Sequence, residues 1–342
     1  MPRQRLQKVT IKDIAKMCQV STQTVSRVIN KRPDVAPQTR EAVERAIEEN
    51  GYQPSALARS LVQQHSYTLG VIMAGLRYVG VAQTLNGITE ECEEYNYSLL
   101  IKELPRFDTH NLLPVIESLI AHQVEGIIFA APELNENVKI AQSQLPPFCP
   151  PIIFLKSQAN PNYTTISIDN YGGASKAVEY LLSCGRRHIG LISGPLDWVE
   201  ARQRKQGWED ALKKVGSGNL DHKWVQGNWS SSSGEAAFAE LIQKYPQMDG
   251  LFASNDQMAL GALHYANARN IRIPQDLAVI GFDDLLEAAY YTPALTSITH
   301  PLRELGILAV KTLLAQIDGS DPELPGKTII LPTDLVVRDT TP

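Results

Sequence analysis

Cysteine is scarce in this 342-residue chain: Cys18, Cys92, Cys149 and Cys184 stand far apart, without a Cys-x-x-Cys pair. That spacing excludes a zinc finger or ribbon and a dense disulfide framework, and it fits reduced thiols acting as small core hydrophobes. No apolar run approaches membrane-spanning length and no secretory h-region follows the N-terminus, so the expected setting is the cytoplasm, with no membrane partner. The seven histidines do not cluster at metal-ligand spacing. There is no Gly-x-Ser-x-Gly elbow, His-Glu-x-x-His, Walker A loop or Gly-x-Gly-x-x-Gly after a strand. These absences leave no foothold for catalysis, and neither a cofactor nor a metal is expected. Low-complexity tracts, short repeats and coiled-coil heptads are missing as well.

What is present is ordinary globular composition, 43% hydrophobic and 20% charged, in a chain long enough for two or three domains. The net charge of -5 conceals an asymmetry. Residues 1–66 carry 11 Lys/Arg against 6 Asp/Glu, whereas the remainder carries 21 against 31. A small basic head on an acidic body directs only the head toward polyanions.

Residues 10–30 read as two short helices joined by a tight turn. Thr10 with Asp13 fits an N-cap and an acidic first turn, and Ile11, Ile14 and Ala15 fall on one apolar face. Gln19-Val20 interrupts the run and Ser21 offers a second N-cap. Val25, Val28 and Ile29 then turn inward, and Thr22, Gln23, Ser26, Arg27 and Asn30 turn outward. Such an outer face can read DNA: Gln pairs with adenine, Arg with guanine, and small hydroxyls grip phosphate. By itself it also fits a plain helical hairpin with a solvated face. A third helix is expected from Pro37 to about Asn50, with Gly51 as its left-handed stop. Residues 52–62 form a helix-capable linker too short to be stable alone.

From Tyr67 short apolar runs alternate with helical patterns: Thr68–Ala74, Gly126–Ala131, Ile152–Leu155, His188–Ser193, Gly250–Ser254 and Leu277–Phe282. Buried parallel strands read in this way, and the alternation implies βαβ crossovers in two doubly wound lobes, with a break near Asp169–Gly173.

In combination these segments resemble the LacI/GalR family of bacterial transcription regulators, of the lactose-repressor type. The resemblance spans nearly the whole chain and rests on Val9–Ala15 (VTIKDIA), Ser21–Val28 (STQTVSRV), Thr39–Glu41 (TRE), Gly51–Pro54 (GYQP), Asn255–Gly261 (NDQMALG) and Val279–Asp284 (VIGFDD). It implies an all-α helix-turn-helix head (1–50), a hinge helix and linker (51–66), and an α/β, two-lobed, periplasmic-binding-protein-like core (67–342) of doubly wound parallel sheets. Within the core, the first lobe is expected at about 67–168 plus 300–328 and the second at about 169–299 plus 329–342.

The resemblance also implies roles. Thr22, Gln23 and Arg27 would read bases in the major groove. Thr10, Ser21, Ser26, Asn30 and Thr39 would hold phosphates, and Leu61 would wedge into the minor groove. Two hinges acting together imply a homodimer on a pseudo-palindromic double-stranded operator. A dimer is expected in preference to a tetramer, because the chain ends soon after Arg338. A small effector (a sugar, sugar acid or sugar phosphate) would bind between the lobes, contacted by Arg202, Asn255 and Asp283, with Trp229 against the apolar face of a sugar ring. Tyr78 and His300 are further contacts. Lys156 stands where the lactose-repressor type carries an acid; it would meet an anionic ligand or else neutralise Asp283. Each residue has a structural reading too, since an acid or amide after a strand often caps a helix and a Trp often fills core.

The expected activity is therefore a ligand-responsive transcription repressor. A transport sugar-binding protein would share the core but not the basic head, and a regulator answering to a protein partner would use the same architecture.

Overall fold

The structure, a computed structural model, describes residues 9–29, 32–52, 65–109, 111–134, 137–324 and 326–342. Two compact units divide between Tyr67 and Thr68. The first contains α1 (Ile11–Met17), α2 (Thr22–Ile29) and α3 (Pro37–Glu49). At the start of α1 the Asp13 carboxylate accepts both the backbone N–H and the hydroxyl of Thr10, at 2.9 and 2.7 Å. Gln19 takes a left-handed φ of 55° between α1 and α2, and Ser21 caps α2 by accepting the N–H of Thr24. Ile14, Ala15, Val25, Val28 and Val43 close a small core among the three helices. Gly51, at φ 56°, follows the end of α3 as its sequence position suggests.

The second unit comprises two lobes, each built on a six-stranded sheet. The first sheet runs β11-β5-β4-β3-β1-β2, all neighbours parallel. Its strands are β1 (Thr68–Ala74), β2 (Ser98–Leu104), β3 (Gly126–Phe129), β4 (Ile152–Leu155), β5 (Thr164–Ile168) and β11 (Thr328–Leu331). The second runs β12-β10-β9-β8-β6-β7, parallel except for the β10/β12 pair. It is formed by β6 (Ile189–Ser193), β7 (Trp224–Gln226), β8 (Gly250–Ala253), β9 (Ala278–Asp283), β10 (Thr296–Thr299) and β12 (Leu335–Val336). Helices α4 (Val79–Glu94), α5 (Leu113–Ala121), α6 (Asn137–Ser143) and α11 (Leu302–Asp318) belong to the first lobe. Helices α7 (Asn170–Ser183), α8 (Val199–Lys214), α9 (Ser231–Lys244) and α10 (Asp256–Ala268) belong to the second.

Strands β1, β3, β4, β6, β8 and β9 are continuous apolar runs because helices cover both faces of each sheet, whereas β5 and β10 bury Thr and Ser. On one face of the first sheet α4 and α11 lie against each other; a methyl added at Gly87 would collide with the carbonyl of Arg303, so only glycine allows that approach.

The chain passes between lobes three times: after β5, after β10 and after β11. These passages are tied together, since Asp169 N–H donates to the Leu331 carbonyl at 2.9 Å and Asp334 N–H donates to Thr299 Oγ1 at 2.8 Å. The last passage differs from the sequence expectation. β11 pairs with β5 in the first lobe, so the chain leaves that lobe after Leu331 and not near residue 328. The alternating exposure of Thr328–Leu331 is that of an edge strand, a weak apolar signal beside the core runs.

Candidate functional site

Crevices beyond the carboxyl ends of parallel strands are where open α/β sheets hold ligands. Here both sheets supply such ends to one cavity of about 550 Å³. From the first lobe come Tyr78, which precedes α4, and Lys156, which follows β4. From the second come Trp198 before α8, Trp229 after β7, Asn255 after β8 and Asp283 at the end of β9; His300 sits on the passage after β10. Lys156, Trp229 and Asp283 have φ of 55°, 74° and 114°, left-handed backbone that costs energy in non-glycine residues and concentrates at ligand sites.

One pole of the cavity is aromatic. Trp198 meets Phe107 at 4.9 Å, Trp229 at 5.7 Å and Tyr78 at 6.0 Å between ring centroids, all edge-on. The Trp229 ring lies against Gly194, where any side chain would overlap it. Tyr78, Trp198 and Trp229 also face a second cavity of about 570 Å³, bordered by Phe107, Arg106 and Asp108. The lobes touch beside this wall: Val199 N–H donates to the Glu133 carbonyl at 3.2 Å.

The other pole is charged. Asp283 Oδ1 lies 2.9 Å from His300 Nδ1 and 3.6 Å from Arg204 Nη1. Arg204 is 3% exposed; its Nε–H donates to Asn170 Oδ1 at 2.8 Å, its Nη1 to the Ser254 carbonyl, and its guanidinium stacks 3.7 Å from the centre of the Phe282 ring. Burial draws the pKa of His300 below its ordinary 6.5 although the bond to Asp283 opposes this. A neutral His300 bonded through Nδ1–H leaves Nε2 as a buried acceptor, with no partner among the described residues. Burial likewise lowers the pKa of Lys156, against the pull of Glu200 and Asp283. Asp256, beneath this pole, accepts from Ser297 Oγ and Leu285 N–H; burial and the nearby Asp283 raise its pKa well above the usual carboxylate value.

Of the residues singled out from sequence, Tyr78, Lys156, Trp229, Asn255, Asp283 and His300 border the cavity. Asn255 does so with a committed amide: Oδ1 accepts from Met258 N–H at 2.8 Å, and Nδ2 donates to the Trp229 carbonyl at 3.0 Å and to Gln257. It caps α10 and fixes Trp229. Arg202 is a correction. It is exposed and donates to the carbonyls of Leu196 and Asp197, away from the cavity. Two residues along α8 rotate a side chain about 200°, so Arg204 occupies the wall and Arg202 cannot. Glu200 and Arg204 share that wall at i, i+4 spacing, a helical pattern that the sequence does carry. Trp198 and Phe107 had no comparable signal.

In the head, Thr22, Gln23 and Arg27 are exposed on α2, whose buried face is Val25 and Val28. Arg27 makes a half-exposed ion pair with Asp34 at 3.5 Å, weak enough to exchange for another anion. Ser21 is exposed, and Ser26 and Thr39 are half-buried. Thr10 is exposed, and its hydroxyl donates to Asp13 at 2.7 Å. Asn30, Leu61 and the hinge at 53–64 lie outside the described residues. Among the described residues no helix is long and apolar enough to cross a membrane.

Residues 10–55 match the family model of bacterial regulatory proteins of the lacI family, and residues 178–341 match that of a periplasmic binding protein-like domain. The ribose operon repressor of Escherichia coli (strain K12) is 32% identical over 329 residues, 96% of this chain and 98% of that protein. A solved lac repressor dimer bound to operator and the anti-inducer ONPF superposes with a TM-score of 0.88 at 30% identity, over 98% of this chain and 99% of that one. The complex of transcriptional regulator CelR with cellobiose superposes with a TM-score of 0.71 at 28% identity, covering 97% and 100%.

Proposed function

The chain belongs to the lacI family of bacterial regulatory proteins, and from that premise we infer that a carbohydrate held between the lobes controls its affinity for operator DNA. It is a DNA-binding transcription repressor under the control of a small effector, and not an enzyme. The observation that carries the carbohydrate reading is the cavity beyond the carboxyl ends of both sheets, with an aromatic pole for a ring face and a polar pole of Arg204, Asp283, His300 and Lys156 for hydroxyls. The two ends suit a polyhydroxylated ring. A named cellobiose complex among the structural neighbours supports the same class.

In the head, Thr22, Gln23 and Arg27 read base edges while Ser21, Ser26 and Thr39 contact phosphates. Two copies of the chain bind a pseudo-palindrome as a homodimer. Ligand binding favours one arrangement of the lobes, and any ligand that prefers one arrangement shifts the population that can hold DNA.

Selection of binding duplexes from a random pool, followed by mobility shifts with and without candidate sugars, tests this reading. Enrichment of a two-fold symmetric site whose retention changes with a sugar supports it; a site indifferent to every sugar removes the carbohydrate effector. Gln23→Ala is expected to relax preference at one base pair in each half-site by roughly 1–3 kcal/mol. Uniform weakening across all variant sites would instead assign Gln23 to phosphate contact.

A further inference from the structure

Lys156 is 6% exposed, yet no carboxylate among the described residues lies within ion-pair distance of its ammonium. Among the described residues its ammonium makes one hydrogen bond, a long one of 3.4 Å to the Gly80 carbonyl. Neutralising Asp283 is not its task, for Asp283 is already held by His300 at 2.9 Å and Arg204 at 3.6 Å. Glu200, 8% exposed on the opposite lobe, likewise has no hydrogen-bond partner among the described residues. A buried ammonium using one of its three donors is costly unless something else completes it. The residue also holds a left-handed φ at the end of β4, which places it on the cavity wall.

Three cations, Arg77, Lys156 and Arg204, and two carboxylates, Glu200 and Asp283, line the cavity as a whole, with Arg77 at the aromatic end over the Tyr78 ring. The deficit is one negative charge. Resting on the carbohydrate reading above, we propose that the effector is an anionic sugar whose carboxylate or phosphate is seated on Lys156, with Glu200 accepting from its hydroxyls and its ring against Trp198 and Trp229. Burial depresses the Lys156 pKa, and a bound anion would act against that effect in the same sense as Glu200 and Asp283.

The test is calorimetric titration of the full chain with matched sets: glucose, glucuronate, gluconate and glucose 6-phosphate, and the corresponding galactose and mannose members. At least one acid or phosphate is expected to bind roughly tenfold or more tighter than its neutral parent, as charge-assisted bonds in a dry site require. Lys156→Gln should erase that preference by weakening the acid or phosphate at least tenfold more than the neutral parent, while Lys156→Arg keeps the preference; retained operator binding reports that each variant folds. Preference for the carboxylate or for the phosphate member identifies the group. Neutral members binding as tightly as their acids, or a preference that survives Lys156→Gln, overturns the anion assignment alone. Failure of every member to bind removes the carbohydrate reading together with it.

Discussion

Replacing Arg204 and Arg202 in parallel separates the cleft arginine from its neighbour. The Arg204 guanidinium is 3% exposed and serves Asn170, Ser254, Asp283 and the Phe282 ring at once. Arg204→Ala leaves the Asp283 carboxylate in a largely dry site with only the neutral His300 N–H, and it strands two acceptors. Removing one partner of a buried ion pair costs about 3–5 kcal/mol. The stranded acceptors lie in the same network, so their loss is contained in that figure and is not added to it. Arg202 is exposed and bonds only two carbonyls at the start of α8, so Arg202→Ala should cost under about 1 kcal/mol. Urea unfolding followed through tryptophan fluorescence reads the difference, because Trp208 is fully buried on the same helix. With m of about 2–3 kcal/mol/M, the Arg204 variant should lose about 1–2 M in its midpoint. In titrations with the bound sugar, Arg204→Ala should also abolish the effector response and Arg202→Ala should keep it. Equal midpoints for the two variants, or a response lost only in Arg202→Ala, would refute the placement of the polar pole.

His300 gives a pH signature. Its pKa is lowered by burial, so between that depressed value and 6.5 the unfolded chain binds more protons than the folded one. Stability therefore rises with pH across this window and is lost as pH falls through it. Asp256, whose pKa is raised by burial, contributes in the opposite sense, so the readout is the difference in urea midpoint between the protein and His300→Gln from about pH 5 to 7; that difference should rise with pH, and a constant difference assigns the dependence elsewhere. A methyl at Gly194 would overlap the Trp229 ring, so Gly194→Ala should displace the aromatic wall and weaken sugar binding roughly tenfold or more while operator binding without effector persists. Unaltered sugar affinity in that variant would show that the Trp229 ring is not a ligand surface.

The body of the fold was legible where burial acts on both faces of a strand. Thr68–Ala74 and Ile152–Leu155 are strands over the very residues of their apolar runs. β2, β7, β11 and β12 give no continuous run because they are edge strands with polar or short sequences, and β5 and β10, although inside their sheets, are rich in buried Thr and Ser and so show no apolar run either. The head was readable from its caps, since Thr10, Asp13 and Ser21 act locally. In the site, residues that end strands were foreseeable: Lys156, Asn255 and Asp283 stop apolar runs with a polar side chain. Arg202 was mistaken for Arg204 because a motif fixes a neighbourhood, while the helical phase of α8 decides which side chain enters it. Phe107 and Trp198 come together from different lobes, and nothing local in either segment encodes that meeting.

The proposed control requires that ligand in the cleft and DNA on the head share one conformational equilibrium. Linkage makes the coupling reciprocal, so a saturating sugar must change operator affinity by the same factor by which saturating operator changes sugar affinity. Both factors can be measured on the full chain with the selected duplex, by fluorescence anisotropy in one direction and calorimetry in the other. Two equal factors of about 5–150 are expected, both falling to one in Arg204→Ala. Operator affinity that stays constant from zero to saturating sugar, with the sugar demonstrably bound in the cleft, would contradict the proposed control.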